Sequence, residues 1–139
     1  VRFEIEKEIF EKDISIKELP KLWNDKYQKY LGITPNDYAD GILQDVHWAA
    51  GLFGYFPTYA LGSAYASQIF HYMNKKFDIN HAIEENKLDQ ILNFLNNNIH
   101  KFGSLKPANG VIYNMCGEHL NARYYIDYLE NKFSEIYNL

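Results

Sequence analysis

Between Lys87 and Phe102, the residues Leu88, Ile91, Leu92, Leu95 and Ile99 recur at spacings of three and four. That is the period of one face of an α-helix. No stretch alternates apolar and polar residues for long enough to make a sheet, and no solenoid-like unit repeats along the chain. A chain patterned in this way is confined to packing helix on helix, so the fold class is all-α, with five to six helices.

The other helices follow from the same period. Residues 1–12 read as an amphipathic helix, with Val1, Ile5 and Ile9 on one stripe and Glu4, Glu6, Glu8 and Glu11 among them. Pro20 suits a first helical turn, and the apolar set Leu22, Trp23, Tyr27, Tyr30 and Leu31 runs to Gly32, where a C-terminal cap belongs. Turn residues make 33–43 a loop. A helix is predicted from Pro57 to about Phe77, a short turn over His81–Glu85 capped by Asn80, and a final helix over Glu118–Tyr137. Ser104–Gly110 reads as a loop and Val111–Tyr113 as a short extended piece. The first helix has no Ser, Thr, Asp or Asn before it to cap its free N–H groups, and the chain opens on Val1 rather than Met. The expectation is a single helical fragment, 1–139, cut from a longer protein.

Composition narrows the function. A formal charge of -4 with no basic stripe argues against nucleic acid, whose binding draws on phosphate neutralisation. The lone Cys116 rules out an internal disulfide. No signal peptide, sequon or long apolar run points to secretion or a membrane, so a soluble cytoplasmic setting is expected. The 12 tyrosines and 9 phenylalanines fit an aromatic-rich helical core better than a cofactor cage.

Local metal and phosphate motifs are missing. The histidines at 47, 71, 81, 100 and 119 are too widely spaced to put two imidazoles on one turn-spaced helix face, so no metal ligand is assigned. Cys116 reads as a structural thiol, and Gly51-Leu-Phe-Gly54 is too short and too aromatic for a phosphate loop.

One segment stands apart. Gly41-Ile-Leu-Gln44-Asp45-Val-His47-Trp48 and its continuation to Gly62 hold four of the eight glycines and a run of aromatics, so this irregular stretch is expected to be packed. Gln44, Asp45 and His47 place three complementary polar groups within four residues. Asp45 is positioned to accept from His47 or a backbone N–H and orient the ring, His47 to donate to an anionic oxygen, and Gln44 to bind a peptide group. The other reading is a buried polar knot that stitches loop to helix; the residues alone leave both open. Tyr55 and Tyr59, one turn apart, are second-rank candidates for the same wall, with core packing the stronger reading for both.

The segment Gly41-x-x-Gln44-Asp45-x-His47-Trp48 resembles the Gly-x-x-Gln-Asp-x-His-Trp motif of the carboxypeptidase Taq (M32) metallocarboxypeptidases. Val1-Arg-Phe-Glu-Ile-Glu-Lys7, Gly54-Tyr-Phe-Pro-Thr-Tyr-Ala-Leu-Gly62 and the stretch from Gly117-Glu118 to Ile136-Tyr137 are similar to that family as well. The resemblance implies the C-terminal portion of a larger helical, zincin-like catalytic domain that removes C-terminal residues from peptides, is homodimeric, and uses zinc, or cobalt or manganese. The family's His-Glu-x-x-His helix and third-ligand Glu have no counterpart here, so this chain alone is expected to be inactive and metal-free. His47 is then the catalytic candidate, and Gln44, Asp45, Trp48 and Tyr55 the substrate-binding ones. The alternative is a stand-alone helical interaction module that keeps the motif only as structure.

Overall fold

A computed structural model describes all of residues 1–139 and contains no β-strand. Seven α-helices follow in order: α1 (Arg2–Glu11), α2 (Leu19–Leu31), α3 (Pro57–Asn74), α4 (Ile79–Glu84), α5 (Leu88–Asn98), α6 (Ala108–Cys116) and α7 (Arg123–Tyr137). Short 3₁₀ turns lie at Ile16–Glu18 and His100–Phe102. None of the helices is long and apolar enough to cross a membrane. The chain divides into two compact units, Val1–Ala60 and Leu61–Leu139.

The fold class agrees with the sequence pattern, and the helix count is one higher than its upper bound. The extra helix is α6, which absorbs the piece predicted as extended. Val111 and Ile112 are β-branched and read locally as strand. With Met115 they form a buried face, and that burial decides the local structure. Pro107 precedes α6, and Gly117 ends it at φ 78, a left-handed conformation that glycine adopts without steric cost. The last helix consequently starts at Arg123 rather than Glu118. The helix predicted over Lys87–Phe102 breaks at Ile99 (φ -128, ψ -64) and continues only as a 3₁₀ turn. The short α4 is capped by Asp78, whose carboxylate accepts from the His81 N–H at 3.0 Å, rather than by Asn80.

In the first unit, α1 and α2 pack through Ile5 and Trp23, both essentially withdrawn from water. Burying a side chain such as Ile5 contributes about 1.5–3 kcal/mol. Lys26 of α2 adds a polar clamp, with Nζ 2.9 Å from both Glu4 Oε2 and Glu8 Oε1 on α1. Residues 32–56 form a run of turns against these helices. Gly41 is buried there, and a Cβ at that position would stand 2.9 Å from the Asp37 carbonyl oxygen, so a side chain cannot enter without moving backbone.

In the second unit, Ala64, Met73, Ile79, Ala82, Val111, Ile112 and Met115 form the buried apolar set. Gln68 is buried among them and clips the 117–122 connection: its Nε2 donates to the His119 carbonyl at 3.1 Å and its Oε1 accepts from the Asn121 N–H at 2.9 Å.

Candidate active site

The segment 41–56 lies within the first unit and is braced by short-range backbone hydrogen bonds. The Leu43 N–H donates to Tyr38 O, Gln44 N–H to Gly41 O, Ala50 N–H to Val46 O, and Leu52 N–H to His47 O, all within 2.8–3.1 Å. Of the three polar side chains, only Gln44 bonds to the backbone, through Nε2 to Asp40 O at 3.0 Å. The others are therefore available for side-chain chemistry.

Their partners come from α1 and α2. Arg2 Nε donates to Asp45 Oδ2 at 2.6 Å, and Arg2 Nη2 donates to Gln44 Oε1 at 3.2 Å. Gln44 Nε2 also donates to the Tyr27 hydroxyl at 3.1 Å. Trp48 Nε1 donates to Glu6 Oε1 at 2.8 Å. The Arg2 guanidinium lies over the Trp23 and Phe56 rings, 5.1 and 5.2 Å from their centroids, so it is ion-paired and π-stacked at once.

Asp45 accepts from neither of the two partners its place in the segment offered, His47 or a backbone N–H, because Arg2 takes the carboxylate. His47 instead pairs through Nε2 with the Tyr59 hydroxyl at 3.2 Å, and its Nδ1 is buried without a partner. The ring rests on Phe56, with centroids 4.5 Å apart, and is flanked by Tyr55 and Tyr59 at 5.6 and 6.1 Å. Tyr59 is 58% exposed and Tyr55 is 43% exposed, so neither is the core residue its spacing favoured. Phe53 is exposed as well and packs edge-on against Phe10 at 5.4 Å. Partial withdrawal of the Tyr59 hydroxyl from water, then the neighbouring Tyr55 hydroxyl and the Asp45 charge, hold that phenol above its ordinary pKa. It therefore stays protonated near neutrality and remains a donor.

An open depression of about 540 Å³ sits over this arrangement, lined by Arg2, Asp45, His47, Phe56, Pro57 and Tyr59 with Val1, Phe3 and Ala60 at its edge. Of the predicted residues, His47 and Asp45 line it, whereas Gln44, Trp48 and Tyr55 do not. Arg2, Glu6 and Tyr59 are the site residues that sequence reasoning did not rank first. Arg2 and Glu6 stand one turn apart on α1, but nothing near them in the sequence ties them to residues 44–48, which lie 42 or 43 positions away.

A larger depression, about 870 Å³, lies in the second unit and is lined by residues of α3 and α7, including His71, Tyr124 and Asp127, and by Lys75 just past the end of α3. It contains none of the clustered polar residues. His71 is packed on the Tyr124 ring at 4.6 Å, and Tyr124 donates to Glu118. Burial, followed by the Glu118 charge, pushes the Cys116 thiol up, which fits a structural thiol. Nowhere do three or more His, Cys, Asp or Glu side chains converge as a metal-binding group.

Comparison with known proteins places these features in a family. Residues 1–133 match the carboxypeptidase Taq (M32) metallopeptidases, and the chain belongs to that family. It is 49% identical to carboxypeptidase 1 of Bacillus subtilis over its whole length, but spans only 28% of that protein. It is 35% identical to thermostable carboxypeptidase 1 of Pyrococcus furiosus, covering 96% of this chain and 27% of the relative. Among solved structures, the Pyrococcus furiosus carboxypeptidase superposes over 95% of this chain and 27% of its own with a TM-score of 0.91. The M32 carboxypeptidase of Deinococcus radiodurans, 26% identical, superposes over 99% of this chain and 28% of its own with a TM-score of 0.93.

Proposed function

We propose that residues 1–139 form the C-terminal portion of the catalytic domain of a metal-dependent carboxypeptidase and build part of the wall that faces its peptide substrate. Family membership supports the reaction class, and the depression over His47 supports the location. The donors in this chain do not fit a metal: His47 is ringed by aromatic side chains, Asp45 is occupied by Arg2, and no third ligand approaches. The zinc, cobalt or manganese that the family implies is accordingly held by residues of the longer protein, and residues 1–139 by themselves are inactive. Homodimer formation and a cytoplasmic setting also belong to that longer protein.

Within this portion, His47 is the group that meets the substrate. The observation that carries this is the division of labour in the segment. Gln44, Asp45 and Trp48 are tied to α1 or α2, while the His47 ring lies on the depression with only the exposed Tyr59 hydroxyl as its partner. A peptide carbonyl arriving there meets a donor either on the imidazole or on the Tyr59 hydroxyl that the imidazole orients. Donors held in place before charge develops on an oxygen stabilise it without reorganisation.

In the longer protein, His47→Ala should lower kcat/KM by about 10²-fold or more, as for loss of one such donor. The assay is release of C-terminal residues from a peptide, beside a check of folding. Wild-type turnover by a folded His47→Ala protein would retire the role. Absence of any carboxypeptidase activity in the longer protein would favour the interaction-module reading instead.

A further inference from the structure

We propose that Arg2 and Glu6, one turn apart on α1, are the positioning residues that hold the Gln44–Trp48 segment so that the His47 ring faces the depression. The inference rests on the reading of His47 as the substrate-facing group. Arg2 binds Asp45 at 2.6 Å and Gln44 at 3.2 Å, and Glu6 binds Trp48 at 2.8 Å. These anchors lie on both sides of His47 in the chain, and they come from residues 42 or 43 positions away. Arg2 also touches the aromatic floor of the site: its guanidinium lies over Phe56, the ring on which His47 rests.

Side chains at i and i+4 project from the same face of a helix. A single straight face of α1 therefore reads Gln44, Asp45 and Trp48 together. Arginine suits the first position because its planar fork makes in-plane hydrogen bonds while its face stacks on aromatic rings, which a lysine ammonium does not reproduce. The docking of α1 on α2 has its own supports, the buried Ile5 and Trp23 and the Lys26 clamp to Glu4 and Glu8. Removing the Arg2 fork should release the segment while the two helices stay docked.

The test uses nitrogen-edited NMR of the His47 imidazole and the Trp48 indole in this chain. In Arg2→Met, both signals should shift and broaden, while the backbone amide signal of Met115 in the second unit stays in place. Asp45→Asn should disturb the same two signals, and the double variant should add little, because the two singles remove one interaction. Arg2→Lys should retain the folded spectrum without restoring the wild-type His47 signal. It also decides the matter if Arg2→Met does not fold. In the longer protein, Arg2→Met should lower kcat by about 10²-fold, the size expected for a misplaced reacting group, with a much smaller change in KM. Unmoved His47 and Trp48 signals in Arg2→Met, a wild-type His47 signal in Arg2→Lys, or unchanged kinetics in an active longer protein would each overturn the proposal. The spectra need no substrate, so failure of the carboxypeptidase reading is separable from failure of the anchoring.

Discussion

The indole of Trp48 donates to a carboxylate that is itself withdrawn from water: Glu6 is 4% exposed, and its Oε1 lies 2.8 Å from Trp48 Nε1. A buried carboxylate depends on the donors that replace its water. Trp48→Phe keeps an aromatic ring in place and removes the donor, so it should destabilise the first unit by about 1.5–3 kcal/mol, the range for hydrogen bonds to charged groups. Urea unfolding followed by Trp23 fluorescence measures this. Adding Glu6→Gln should recover part of the loss, because the uncompensated charge is then gone; an undiminished loss in the double variant would mean that ring packing rather than the hydrogen bond carries the cost. The same pair explains what sequence could and could not reveal about the site. Gln44, Asp45, His47 and Trp48 are legible because they are clustered. Their partners Arg2 and Glu6 are not, because they stand more than forty residues away and only folding brings them near. Neither local partner open to Asp45, the His47 ring or a backbone N–H, is the one it takes, for the same reason: a distant arginine outcompetes both for the carboxylate.

Between α1 and α2, the Lys26 clamp links docking to pH. Hydrogen bonds from Lys26, then from Tyr30, hold Glu4 below the usual glutamate pKa, and bonds from Lys26, then from Lys12, do the same for Glu8. Partial burial pulls Lys26 down, but its bonds to Glu8 and Glu4 outweigh that and leave it raised. A carboxylate whose folded pKa is lowered contributes stability above its unfolded value and loses it as pH falls through the folded one. A lysine whose folded pKa is raised contributes below its unfolded value and loses it as pH rises through the folded one. The clamp should therefore contribute fully between about pH 6 and pH 10 and be lost toward acid below about pH 4. Urea midpoints across this range should show a steeper acid limb for wild type than for Lys26→Met; parallel limbs would show that the clamp is solvated out. The helices themselves were legible wherever an apolar stripe ran without interruption, as in α2 and α3. The errors fell where a tertiary contact decided the outcome: burial of Val111 and Ile112 made α6, and Gln68, reaching His119 and Asn121, holds as a connection the residues that the last helix was predicted to include.

Taken as a whole molecule, the chain leaves amphipathic helices half used. Neither α5 nor α7 has a single buried residue, although each carries an apolar face. Leu88 and Leu92 on α5, and Phe133, Ile136 and Tyr137 on α7, are all exposed. A monomer rarely presents large contiguous apolar surface to water. The chain spans only 27–28% of the relatives it matches, so the remainder of a longer protein is available to cover these faces. Alone, residues 1–139 should associate as concentration rises, which sedimentation velocity detects directly. Phe133→Lys with Ile136→Lys should suppress that association without lowering the unfolding midpoint of the second unit, because neither side chain is part of its buried set. A chain that sediments as a monomer throughout would show that the exposed α7 face is compatible with water as it stands. Association that survives both substitutions would move the sticky surface to α5 or to the exposed aromatics of the first unit, where Phe3, Phe10 and Phe53 are the next side chains to change.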